Sequence, residues 1–194
     1  MIAEAVRRSA LADYAERFAA VSAATGAELA ISELSFVSQM NLRADPNDSA
    51  VMEGIAAALG FPLPTVPNTV GLWEDRRALW LSPDEWLIVG AGGQQDALEQ
   101  TLRSGLNGGF GSVVDVSANR TLVEIRGARA RELLGHGVPV DLDARTFGPG
   151  HCAQTMLAKA QVVIERRDES AFVIYVRTSF AVYAASWLLD ALAE

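Results

Sequence analysis

One cysteine and two histidines occur among the 194 residues. A single cysteine excludes an internal disulfide framework and fits a reducing cytoplasm, so a cytoplasmic location is expected. Cys152, His136 and His151 together cannot fill a usual zinc site without carboxylates. No apolar run approaches the roughly 20 residues of a membrane-spanning helix. The first residues, MIAEAVRRSALADYAERF, carry three arginines but no apolar h-region, which speaks against a secretory signal. Basic residues are few, 16 against 24 acidic for a net charge of −8, and form no stripe. Such a chain repels phosphate backbones, which argues against nucleic acid as a partner. The densest basic cluster, Arg126, Arg129 and Arg131 in RGARAR, reads as a solvated helix start rather than an anion site.

What is present is half apolar and about one-fifth charged, the composition of a globular protein. In residues 1–30, Leu11, Tyr14, Phe18 and Val21 fall near helical spacing before a stop at Gly26. Leu34, Phe36, Met40 and Leu42 then alternate, as on one face of a single strand. PNDSAVMEGIAAALG supplies a capped helix ending at Gly60. The three prolines of FPLPTVPNTVG predict an extended surface connection. RALWLSPDEWLIVG has a hairpin signature, QQDALEQTLRSG reads as a helix ending at Gly105, and SVVDVS as a strand.

Residues 33–117 thus run strand, helix, strand, strand, helix, strand, the order of a ferredoxin-like split βαβ unit. A second unit follows. TLVEIRG is a strand, ARARELLG a helix, HCAQTMLAKAQVVIERRDESAFVIYVRTS two or three strands, and SFAVYAASWLLDALAE a helix presenting Phe180, Tyr183, Trp187, Leu188 and Ala191 on one face. The expected class is α+β, with an N-terminal helical segment over 1–30, a ferredoxin-like unit over 31–117 and a second α+β unit over 118–194.

Candidate chemistry is sparse. His151 and Cys152 are adjacent, but neighbouring side chains of a strand point to opposite faces, so they make a poor thiol–imidazole pair. Free cysteine is also among the most buried residue types. In GAGGQ, Gly90 and Gly92 fit the first two glycines of G-x-G-x-x-G, but Gln95 takes the third place and no G-K-[ST] follows, so both nucleotide fingerprints fail. Asp84 and Glu85 sit in a tight turn where exposed acids belong. No G-x-S-x-G elbow occurs. Trp73, Trp80, Trp86 and Trp187 read as core or interface rather than cofactor stack. No catalytic, cofactor-binding or metal-binding residue is assigned from the residues alone.

Several segments in order, ELSFVSQMNLRADP, AAALGFPLPTVPNTV, LWLSPDEWLIVG and the run from VVDVSANRTLVEIRG to the C-terminal helix, resemble the γ subunits of heterotetrameric sarcosine oxidases. That family is in turn similar to the folate-binding part of aminomethyltransferases, the T-protein of the glycine cleavage system. Asp115 and Ser117 match the Asp-x-Ser strand of those enzymes, and Gly127 and Ala130 their Gly-x-x-Ala helix. Where the transferases carry an acidic turn, this chain has Ala158, Lys159, Ala160 and Gln161. That turn without a carboxylate speaks against an independent folate-dependent transferase.

The resemblance implies a folate-binding-like fold and a non-catalytic structural subunit, inactive alone, of an enzyme that oxidatively demethylates sarcosine to glycine with oxygen and tetrahydrofolate. It implies α, β and δ partner subunits, with FAD, FMN, NAD, tetrahydrofolate and zinc held by those partners and none by this chain. The N-terminal helix, proline-rich segment and C-terminal helix are expected to contribute to the partner surface. The alternatives are a subunit of a related secondary-amine oxidoreductase such as N-methylglutamate dehydrogenase, or a stand-alone folate-binding protein of the aminomethyltransferase type.

Overall fold

The computed structural model describes residues 7–192. Two five-stranded antiparallel sheets lie face to face with helices on their outer sides. The first combines β1 (Ala30–Leu34), β7 (Arg120–Arg126), β8 (Cys152–Leu157), β9 (Ala160–Arg166) and β10 (Ala171–Arg177) in the order β1-β7-β10-β9-β8. The second combines β2 (Ser38–Ala44), β3 (Val70–Trp73), β4 (Arg76–Ser82), β5 (Glu85–Gly90) and β6 (Gly111–Asp115) in the order β3-β4-β5-β2-β6. Without the added edge strand β3, which the sequence reading did not separate, the second sheet has the ferredoxin-like order. With helices on both outer sides the α+β expectation holds.

Alternation along the strands separates three cores. One face of the second sheet, with Met40, Leu42, Ala78, Trp86 and Ile88, packs on α2 (Ser49–Leu59) and α3 (Gln95–Leu106). One face of the first, with Ile31, Val123, Ile125, Ile164 and Ile174, packs on α1 (Ala15–Thr25), α4 (Ala130–Gly135) and α5 (Ala181–Asp190). The remaining faces meet through Leu79, Leu81, Leu87 and Val89 on one side and Leu122, Val163, Val173 and Tyr175 on the other.

Four local expectations are corrected. The alternating run from Leu34 to Leu42 is two strands, because the backbone turns at Phe36 (φ 62°) and sends β1 to one sheet and β2 to the other. Phe36 therefore does not share the core face of Met40 and Leu42. The proline-rich connection is irregular, but alternation along it inserts Phe61 and Leu63 into the core while Pro62 stays outside, and Pro64 O accepts a 2.7 Å hydrogen bond from Trp86 Nε1. Gly105 does not end α3, which runs on to Leu106 with left-handed Asn107 as its cap. The glycine serves helix packing instead, since a Cβ on Gly54 of α2 would lie 2.3 Å from Gly105 O. The buried face of α5 is Ala181, Ala184, Ala185 and Leu188 rather than the aromatic stripe, because alanines let the helix sit close on the sheet. Trp187 lies to the side, against Gly137.

Candidate functional site

Cys152 opens β8 on the face between the sheets and is fully buried. Its sulfur lies 3.6 Å from both Thr69 O and Trp80 O, the two acceptors open to its one S–H. Burial, reinforced by the negative charge of Glu165, pushes the thiol pKa up to about 12. Thiolate is therefore negligible at neutral pH, and the nucleophilic form is the one the fold disfavours. The His151 ring lies near Phe147, which belongs to the outer core, and its Nδ1 is 3.0 Å from Gly148 O. His136 is exposed just beyond α4. The two neighbours of the HC dipeptide thus serve different cores, as strand alternation requires.

The other sequence candidates are tied into structure. Asp84 and Glu85 flank the β4–β5 turn, and Arg43 reaches both, at 3.0 and 2.7 Å. Ser82 Oγ donates to Asp84 at 2.8 Å and lowers its pKa, the opposite of what a proton-donating acid needs. In the loop after Gly90, Ser38 Oγ accepts from Gln94 N and donates to Ala91 O, so polar groups a phosphate would need are engaged internally. Arg126 pairs with Asp168 and Glu124, Arg129 with Glu132, and Arg131 with Asp143.

The Asp-x-Ser pair forms a latch. Asp115 Oδ1 accepts from Ser117 N at 2.8 Å and from Ser117 Oγ at 2.5 Å, while Ser117 Oγ accepts from Gln39 N. It ties the end of β6 to β2. Gly127 (φ 120°) brings the β7–α4 turn against residues 27–28, where a Cβ would fall 2.3 Å from Glu28 O, and Ala130 is buried beside it. Ala158 and Lys159 form the tip of the β8–β9 hairpin. Their amides donate to Gly137 O and Tyr183 Oη, and no carboxylate stands there.

Two groupings were not foreseen. Glu165 is buried between the sheets, where Arg77 Nη1 (2.6 Å), Tyr175 Oη (2.7 Å) and Arg167 Nε (3.3 Å) all donate to it. A charge placed inside the apolar strand AQVVIER was the available signal. The second grouping is a cleft of about 350 Å³ where the inner face of the first sheet runs beyond the second. Arg120 and Arg177 line it, cross-strand partners in the β7–β10 register, with Gln154, Met156 and Gln161 on the neighbouring strands. No sequence spacing brings residues of β7 and β10 side by side. Among the described residues there is no group of three or more His, Cys, Asp or Glu side chains able to hold a metal ion. No described helix is long and apolar enough to cross a membrane.

Comparison with known proteins agrees with this architecture. The model of the sarcosine oxidase, gamma subunit family matches residues 43–194. The sarcosine oxidase subunit gamma of an Arthrobacter species is 36% identical over 97% of this chain and 91% of its own length. The corresponding protein of Corynebacterium sp. strain U-96 is 35% identical over the same shares. A chain from the structure of heterotetrameric sarcosine oxidase of Corynebacterium sp. U-96, in complex with pyrrole 2-carboxylate, superposes with a TM-score of 0.86 over 96% of this chain and 95% of that one, at 36% identity. Glycine cleavage aminomethyltransferase T of Bartonella henselae shares the fold at 18% identity and a TM-score of 0.60, over 85% of this chain and 46% of that one. On that identity and coverage, the chain belongs to the sarcosine oxidase gamma subunit family.

Proposed function

We propose that this chain is a non-catalytic structural subunit of a heterotetrameric sarcosine oxidase, an oxidoreductase that demethylates sarcosine to glycine with oxygen and tetrahydrofolate. The observation that carries this reading is similarity to proteins called subunit gamma along nearly the full length of both chains. The chemistry of the chain supports a supporting role. Cys152 is held as a thiol, Asp115 is engaged by Ser117, and an alanine–lysine turn without a carboxylate occupies the tip of the β8–β9 hairpin. In this reading FAD, FMN, NAD, tetrahydrofolate and zinc sit on α, β and δ partners in the cytoplasm. Val66 in the proline-rich connection and Phe180 and Val182 at the start of α5 expose apolar surface, as a partner-facing role for those segments expects.

Co-expression with the partner subunits tests the proposal. A four-chain complex that produces peroxide from sarcosine is expected, while the chain purified alone is colourless and inactive. Stoichiometric flavin or folate on the isolated chain, or a full-sized active complex assembled without it, would overturn the reading.

A further inference from the structure

We propose that the open end of the inter-sheet face, where Arg120 and Arg177 stand side by side, is a binding site for a carboxylate. The two arginines are directly paired across β7 and β10, and alternation places both on the face that carries Leu122, Val173 and Tyr175 farther in. Among the described residues neither forms an ion pair, although Arg43, Arg103, Arg126, Arg131, Arg145 and Arg167 all do. An unneutralised arginine pair is uncommon company in a chain of net charge −8.

The arrangement carries a cost that an anion would remove. Burial lowers the pKa of the Arg120 guanidinium, and the neighbouring charge of Arg177 lowers it further. The field of Glu85 works the other way, but that carboxylate is already bonded to Arg43 and Asn41. Gln154 Nε2 is engaged with Leu81 O and Gln39 Nε2 with the Arg120 carbonyl, which leaves the two guanidinium forks and Gln161 as donors toward the cleft. Planar forks on adjacent strands match the two oxygens of a carboxylate, and about 350 Å³ accommodates a small carboxylic acid or one acidic side chain. Either a free carboxylate or one borne by a partner subunit satisfies the same chemistry.

Titration of the full-length chain with succinate at constant ionic strength, followed by the amide and arginine Nε–H resonances in ¹H–¹⁵N spectra, tests the site. Saturable shifts centred on Arg120, Gln161 and Arg177 are expected, with an affinity in roughly the millimolar range. Arg177 is exposed, so Arg177→Gln is expected to keep a native spectrum while binding succinate at least ~10-fold more weakly, with Arg177→Lys intermediate. Absence of localised saturable shifts, or equal affinity in Arg177→Gln, overturns the site. Repeating the titration on the assembled complex distinguishes the source. Loss of succinate binding there assigns the cleft to a partner's carboxylate, and retained binding assigns it to a free one.

Discussion

Arg77 of β4 donates a 2.6 Å hydrogen bond to Glu165 of β9, so an ion pair joins one sheet to the other. Glu165 is buried, and Tyr175 and Arg167 complete its shell. A buried carboxylate is tolerated only while its partners remain, and removing one side strands the others. Glu165→Ala is therefore expected to lower unfolding free energy by about 3–5 kcal/mol. Arg77→Ala leaves two donors on the carboxylate and should cost about 1.5–3 kcal/mol. Urea unfolding of both single variants and the double variant checks this, and the double variant should lose less than the sum of the singles.

Cys152 makes alkaline stability informative. Its pKa is about 12 in the fold, against an ordinary value of 9.0. Between those values the unfolded chain has released the thiol proton and the folded chain has kept it, so stability falls as pH rises. The slope is about 1.4 kcal/mol per pH unit for one proton. Tyr175, pushed well above its ordinary 10.0 by burial and then by Glu165, steepens the loss beyond that pH. Cys152→Ala should flatten the stability curve between pH 9 and 10 relative to wild type. Alkylation by iodoacetamide at pH 8 should proceed only as fast as the chain opens.

The close approach of α2 and α3 sets a third expectation. Gly54→Ala would put a methyl 2.3 Å from the carbonyl oxygen of Gly105, and neither backbone can yield without moving a helix. A loss of about 1–3 kcal/mol is expected. Thermal unfolding should show it, with far-UV circular dichroism of the folded state preserved.

Most of this architecture was legible because alternation and helical spacing are local. Asp48 and Gly60 cap α2 as their residue types suggest, and the β4–β5 hairpin forms around its Ser-Pro-Asp-Glu turn. The failures arise where tertiary contact overrides local signal. The period-2 run from Leu34 to Leu42 continues through Phe36 without marking the turn that divides it between sheets. Gly105 looks like a helix stop but is a packing contact. Among candidate chemical groups, strand alternation correctly separated His151 from Cys152. The Arg120–Arg177 pair was invisible, because its members come from strands brought together only by the register of β7 and β10.

In the proposed assembly the oxidative chemistry lies outside this chain, and steady-state sarcosine oxidation by complexes reconstituted with variant chains tests that most directly. Complexes carrying His151→Ala or Cys152→Ala, with assembly verified by size, should keep kcat and its pH profile within about 2-fold of wild type, a change of ~0.4 kcal/mol. A fall of about 100-fold or more in kcat with assembly and flavin content intact would contradict it, and would put a catalytic group on this chain.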